Sequence, residues 1–310
     1  MNSLIVPIYK NELNIPSLLV ALKKISDNLN GNLEVIFVVD GSPDNSHELL
    51  CKMLDNQLYS SKLILLSKNF GSLLAIRTGL QEASGDYIAI MSADLQEPTA
   101  LIIDFFRTLG EEEYDVLIGT RNDRKDPFIS KFFSNLFWFF YKKFVIKEMP
   151  NGGMDVFACN KIFSKQLLRL KESHSSMIAQ IFWLGFRRKE ISYNREERKI
   201  GVSAWTFKKK MSYMMDSIFS FTDLPIKVLM YIGISGTIIF SILGLIVFIS
   251  QVFGLIHVPG YASTFLTIGF FGTLNLYGIS IVGLYSWRTY ENTKSRPLSI
   301  IISSKLFKGK

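Results

Sequence analysis

Residues 87–98 read Y-I-A-I-M-S-A-D-L-Q-E-P, an apolar run that stops at Ser92 and gives way to polar and turn-forming residues through Pro98. A run of this length, bounded by a turn cluster, reads as a buried strand. The pattern recurs along the first 120 residues. Runs 4–8, 33–39, 62–66 and 116–119 are also short and apolar, and segments with helical periodicity lie between them at 15–29, 47–58, 73–82 and 99–109. Strand–helix alternation requires crossover connections, so the expected class is α/β with a doubly wound, mostly parallel sheet.

In such a sheet ligands bind outside the carboxyl ends of the strands. Each of the first four runs ends in a polar cluster: Pro7 to Glu12, Asp40 to Asp44, Ser67 to Gly71, and Ser92 to Pro98. One such cluster is an ordinary turn; four at one sheet edge point to a site. Asp40 can accept bonds from a base or ribose. Asp94, with Gln96 two residues on, can supply oxygens to Mg²⁺ or Mn²⁺ that would bridge phosphates. The chain has no G-x-G-x-x-G or G-x-x-x-x-G-K-[ST], which argues against dinucleotide binding and a P-loop NTPase.

Composition narrows the class further. The chain has 310 residues, 35 basic and 27 acidic, yet residues 228–287 contain no Asp, Glu, Lys or Arg. At average usage a window of that length holds about 12–15 charges. Two uncharged stretches, 228–253 and 262–287, flank a turn with Pro259 and Gly260. Roughly 20 apolar residues cross a hydrocarbon core, so the expectation is a C-terminal two-helix transmembrane hairpin. Lys208, Lys209, Lys210 and Lys227 precede it, Arg288, Lys294 and Arg296 follow it, and the turn has no Lys or Arg. The positive-inside rule then puts both ends and the large first domain, residues 1–227, in the cytoplasm. Residues 288–310 form a basic cytoplasmic tail. The positive excess sits beside the apolar window, which fits headgroups rather than nucleic acid. Asn275, well inside the second span, suits a bond to a neighbouring helix, and glycines at 233, 236, 244, 269 and 272 offer close-approach surfaces, which suits a homo-oligomer through the hairpins. Cys51 and Cys159 lack metal or disulfide spacing and suit a reducing compartment. The run at 4–8 is too short for a secretory signal.

Half of residues 128–145 are aromatic, interleaved with Lys131, Lys142 and Lys143, the profile of an interfacial amphipathic helix. Residues 208–221 suit a second one. From 187 to 210 there are nine basic and three acidic residues, placed to meet headgroups or a diphosphate. Gly201 and Ser203 suit a mobile lid there.

The segments V-P-I-Y-K-N-E (6–12), V-D-G-S-P-D-N-S (39–46), L-S-K-N-F-G (66–71) and A-D-L-Q-E-P (93–98) resemble the successive motifs of family 2 glycosyltransferases. The branch they resemble most holds dolichyl-phosphate mannose synthases and bactoprenol-phosphate glucosyltransferases. The likeness continues through G-T-R (119–121), S-K-F-F-S-N (130–135), Asp155 and R-E-E-R-K-I-G-V-S (195–203), and covers nearly the whole chain. It implies a GT-A type fold, a nucleotide-sugar donor, a divalent metal and inverting transfer onto a polyprenyl (undecaprenyl-type) phosphate. Carried over, Pro7, Tyr9, Glu12, Asp40 and Ser42 line the donor nucleotide. Asp94 and Gln96 hold the metal. Arg121, Lys131 and Ser134 meet the lipid phosphate, and Asp94, Asp155 and Arg121 are the catalytic set. Arg195, Arg198 and Ser203 belong to a lid.

Two positions depart from the family pattern. Ser92 stands where the first acid of a D-x-D pair is common, so a metal would lean on Asp94, Gln96 and donor phosphates. Val39 stands before Asp40 where a second acid is common. An alcohol acceptor would need a base such as Asp155, whereas a lipid phosphate is already anionic and leaves Asp155 to orient hydroxyls or cations. Asp155 also suits the N-terminal charge of a helix beginning near Asn160. Two alternatives stay open: transfer to a hydroxyl of a lipid-linked saccharide in cell-surface polysaccharide synthesis, and a non-catalytic membrane scaffold that keeps the fold. The absence of Q-x-x-R-W argues against a processive synthase.

Overall fold

The computed structural model describes residues 1–121, 156–172, 175–196, 207–222, 224–253 and 260–309, with a few single positions between 142 and 154. The predicted helix near 128–145 lies outside them, as do Lys131, Ser134, Asp155, Arg198 and Ser203. The described chain divides into two compact units, Met1–Met211 with Arg296–Lys310, and Ser212–Ser295.

In the first unit the apolar runs become strands, because alternate residues pack on both faces of a sheet covered by helices. They are β1 (Asn2–Ile8), β2 (Leu33–Val39), β3 (Ser60–Leu66), β4 (Tyr87–Ile90) and β5 (Val116–Arg121). Between them lie α1 (Ile15–Asn28), α2 (Ser46–Met53), α3 (Ser72–Glu82) and α4 (Thr99–Gly110). Leu18, Leu22 and Ile25 recur on one face of α1 and are buried against the sheet, as are Ile102, Phe105 and Leu109 of α4. Burying one such side chain contributes roughly 1.5–3 kcal/mol.

Three further strands complete an eight-stranded mixed sheet: β6 (Val156–Asn160), β7 (Arg188–Tyr193) and β8 (Ile301–Phe307), in the order β7-β5-β6-β4-β1-β2-β3-β8. The pairs β1–β2, β1–β4, β2–β3 and β5–β7 are parallel; β3–β8, β4–β6 and β5–β6 are antiparallel. This is a GT-A-like α/β fold with a mostly parallel sheet. α5 (Lys161–Arg169) follows β6 and is capped by Asn160, whose side-chain oxygen accepts from Phe163 N–H at 2.8 Å. α6 (Met177–Trp183) precedes β7.

The basic tail is more than a tail. Its last residues form β8, antiparallel on the outer edge of β3, with Leu66 opposite Ile301 and Ser61 opposite Phe307. In this strand Phe307 turns inward, 5% exposed, while Leu306 points out at 72%. An edge strand needs only one apolar side, which weakens its signature.

In the second unit α7 (Phe207–Phe221) ends, α8 (Leu224–Val252) and α9 (Tyr261–Thr293) cover the two uncharged stretches, and Gly278 of α9 lies against Leu229 of α8, where an added Cβ would sit 3.6 Å from Leu229 Cδ2. Within this unit Arg288 joins α9 to α7: it donates to Asp216 at 2.8 Å and Ser220 at 3.1 Å, and stacks 5.3 Å from the Phe219 ring centre. Among the described residues no single helix is long and apolar enough to cross a membrane; one bent pair, Met215–Phe221 with Leu224–Gly236, has that length and composition across a 77° bend.

Candidate active site

Register fixes one functional edge. Ile8 pairs with Val39, Val39 with Leu65, and Ile5 with Ile90, so the carboxyl ends of β1 to β4 lie side by side. Because β6 is antiparallel to both β4 and β5, the end of β5 at Arg121 emerges on the same edge. The first residue of β6, Val156, pairs with Gly119 and lies at that edge too.

The first two loops are stitched together. Lys10 N–H donates to Ser42 Oγ at 2.8 Å, and that hydroxyl donates to Asp44 Oδ1 at 2.6 Å. Glu12 N–H donates to Asp44 Oδ2 at 3.1 Å, and the Glu12 carboxylate accepts from Asn45 N–H at 3.1 Å and from its side-chain amide at 3.2 Å. Tyr9, Glu12 and Ser42 therefore share one wall, with half-buried Pro7 just before it on β1. Burial opposes ionisation of Asp44, but bonds from Ser42, Ser46 and the Glu12 and Ser46 backbone outweigh it and hold its carboxyl below the usual range. Asp44 and Asn45 were not among the expected site residues. The signal was present, since an Asx residue after a strand commonly organises the turn around it.

Asp40 holds the third loop. It is 2% exposed and accepts from Phe70 N–H at 2.7 Å and Gly71 N–H at 2.8 Å, one bond per carboxylate oxygen. Burial still outweighs those two bonds and pushes its carboxyl up. The next residue must be glycine: Gly41 has φ +54°, and an added Cβ would meet the Lys68 carbonyl carbon at 2.3 Å. The nucleoside role expected of Asp40 thus comes with a structural one, shaping residues 68–71.

The fourth loop is built on a carboxylate that sequence reasoning did not assign. Ser92 donates its backbone N–H to Glu97 Oε2 and its hydroxyl to Glu97 Oε1, both at 3.0 Å. Glu97 is 3% exposed; burial and the neighbouring Asp94 push its carboxyl up, while Ser92 and the Arg195 charge pull the other way. Ser92 Oγ is thereby turned toward Glu97. Leu95 takes a left-handed conformation, φ 58°, and Gln96 N–H returns to Asp94 Oδ1 at 3.3 Å. The turn sets the Asp94 carboxylate and the Gln96 amide oxygen on one short segment. Among the described residues no group of three His, Cys, Asp or Glu side chains forms a metal centre. Two hard oxygens fit a hard divalent ion that takes its remaining ligands from phosphate and water.

The expected lid residue Arg195 reaches this loop. Its guanidinium donates to Gln96 Oε1. Glu196 N–H donates to Gln96 O at 3.0 Å, and Gln96 Nε2 donates to Glu196 O at 3.4 Å. The β5–β7 register places Arg121 opposite Tyr193, two residues before Arg195. Asp94, Gln96 and Arg195 are thus gathered at one place, with Arg121 on the neighbouring strand end. The site combines a pinned two-loop wall, a carboxylate-backed turn and cations, which suits binding a diphosphate-bearing ligand and balancing its charge.

Comparison with known proteins agrees. Residues 3–170 match the family model described as glycosyl transferase family 2. CsbB of Bacillus subtilis (strain 168) is 32% identical, over 96% of this chain and 90% of that protein. The bactoprenol glucosyl transferase of Shigella phage SfX is 27% identical, over 98% and 99%. The undecaprenyl-phosphate 4-deoxy-4-formamido-L-arabinose transferase of Yersinia enterocolitica is 28% identical, over 95% and 90%.

Proposed function

This chain belongs to glycosyl transferase family 2, and on that premise we propose that it moves a sugar from a nucleotide-sugar donor to a polyprenyl phosphate at the cytoplasmic face of a membrane. The observation that carries the reading is the shared edge of β1 to β4, where the loops after β1, β2 and β4 bring Glu12, Asp40, Asp94 and Gln96 to one side of the sheet. Two relatives that match nearly end to end carry bactoprenol or undecaprenyl phosphate in their names, which supports the acceptor class.

The chemistry follows from charge. The donor's diphosphate must leave with its negative charge balanced. Asp94 and Gln96 would hold Mg²⁺ or Mn²⁺, which when bound supplies Lewis-acid neutralisation of that diphosphate. The wall of Tyr9, Glu12 and Ser42 receives the nucleoside and fixes the sugar's orientation. Arg121 at the end of β5, with Lys131 and Ser134, attracts the acceptor phosphate and aims its oxygen at the anomeric carbon. A phosphate monoester is anionic at neutral pH, so no side chain has to remove a proton from it. Asp155, leading into β6, is then an orienting group. Attack opposite the leaving group inverts the anomeric centre.

The membrane reading rests on the uncharged stretches and on what α8 and α9 expose. Ile234, Ile238, Ile242, Leu245, Ile268, Phe270 and Ile279 are all at least half exposed. Apolar surface on that scale, left in water, is unfavourable at about 25 cal/mol per Å². A bilayer removes the penalty, with Lys and Arg flanking the helices on the cytoplasmic side. Added Cβ atoms at Gly236 and Gly272 meet nothing within 4 Å, which leaves these helix surfaces open to a second copy.

The test uses the full chain in vesicles with polyprenyl phosphate and a panel of labelled nucleotide sugars. Label should enter an organic-extractable, mild-acid-labile product, and Asp94→Ala should abolish it. A product stable to mild acid, or transfer untouched by Asp94→Ala, overturns the proposal.

A further inference from the structure

We propose that Arg195 is the resident cation of the Asp94–Gln96 turn, and that a divalent metal ion and the Arg195 guanidinium compete for the same Gln96 amide oxygen. The inference rests on the metal-assisted transferase reading and adds to it an occupant of the site when no metal is bound.

Three bonds join Gln96 to two consecutive residues. Its amide oxygen accepts from Arg195, its amide nitrogen donates to the Glu196 carbonyl, and its own carbonyl accepts from Glu196 N–H. Both ends of the side chain are therefore engaged, one by a cation. The charges around the turn explain the choice. Asp94 and the buried Glu97 place two carboxyl groups within a few residues, and Glu97 feels Asp94 as repulsive and Arg195 as favourable. A guanidinium balances such a pair in the same way as a metal ion would, by a positive charge held at oxygen. Arg195 Nε is buried without a hydrogen-bond partner among the described residues.

A divalent ion that used Gln96 Oε1 would share that oxygen with the Arg195 N–H and, as a cation at the same atom, would repel the guanidinium. Binding the ion then releases Arg195, and with it residues 195–196 at the exit of β7. The freed cation stays close to where a leaving diphosphate would lie. Metal affinity in the absence of donor is correspondingly held down, because each ion must displace Arg195.

The experiment titrates Mn²⁺ into the full chain in detergent, without nucleotide, and counts free Mn²⁺ by electron paramagnetic resonance. Arg195→Met should lower the Mn²⁺ Kd by about tenfold, and by no more than about twofold in a Gln96→Leu background, since the coupling runs through that oxygen. Arg195→Lys, which keeps the charge but not the fork, should fall between and serves if Arg195→Met fails to fold. A merely structural Arg195 predicts the opposite sign, weaker Mn²⁺ binding on its removal. Unchanged or weaker binding in Arg195→Met overturns the proposal. Equal tightening with and without Gln96 also overturns it, because charge alone then accounts for the effect. Binding of no Mn²⁺ by any variant removes the competition altogether. Sugar transfer is scored separately on the native chain, so failure to transfer with the competition intact overturns only the function.

Discussion

Ser92 gives both its backbone N–H and its hydroxyl to the buried carboxylate of Glu97, at 3.0 Å each. Ser92 therefore has a defined task. It satisfies a carboxylate that would otherwise be buried with too few donors.

Ser92→Asp tests that task. The new carboxylate cannot donate, and it would face Glu97 as a like charge in a buried place, so the variant should lose about 2–4 kcal/mol of stability. Adding Glu97→Gln should recover most of the loss, because the amide can donate to the new carboxylate. Thermal melts of the single and double variants in detergent check this; independent, additive effects would contradict the pairing.

Asp40→Ala should loosen the third loop. It leaves the half-buried N–H groups of Phe70 and Gly71 without their acceptor, at no more than about 1–3 kcal/mol each. Amide exchange at residues 70 and 71 should accelerate well beyond that of β2 and β3. Equal exchange in variant and native chain would show that Asp40 does not hold the loop.

A pH dependence follows from Asp115 at the opposite end of the sheet. Arg187 bonds to it through Nε at 3.0 Å and Nη2 at 3.0 Å, and Asn160 adds a bond at 2.9 Å. The Arg187 bond is the main reason its carboxyl sits below the ordinary value; burial opposes it, and further bonds from the Arg187 backbone and Asn160 add to the lowering. A depressed acid contributes stability that is fully present above the unfolded carboxyl's pKa, about 3.9, and disappears as pH falls through the folded value. Asp115→Asn should thus lower Tm by a few degrees at pH 7, and the gap should close below pH ~4. A gap that persists in acid would assign the effect to geometry rather than charge.

The tail strand yields a paired prediction on adjacent residues. Phe307 is 5% exposed and Leu306 72%. Phe307→Ala should cost about 3 kcal/mol, whereas Leu306→Ala should stay within about 0.5 kcal/mol. Similar effects at both positions would mean that β8 does not pack as described.

The local parts of the site were readable from the chain. Strands 33–39 and 87–90, the helices between the strands, and the four polar clusters each depend on a few neighbouring residues whose periodicity and turn chemistry are strong. β7 and β8 were not readable. β7 carries Arg188, Lys189 and Glu190, and β8 is mostly exposed, so neither shows the continuous apolar run of a central strand. The role of Glu97 was also hidden, because a glutamate beside Pro98 at the start of α4 looks like a helix N-terminal acid.

The alternation of strands and helices, the uncharged stretch at 228–287 and the residue types at the sheet edge can all be read along the chain. Those depend on hydrophobic periodicity and composition, which are properties of short segments. Which of those residues meet is a matter of the folded sheet. Arg195 reaches Gln96 across 99 positions, Phe70 and Gly71 close on Asp40 across about 30, and Phe307 lies opposite Ser61 from the far end of the chain. Such contacts are fixed by strand order and register. No local pattern encodes those, because the free energy that selects them comes from burying the whole sheet at once.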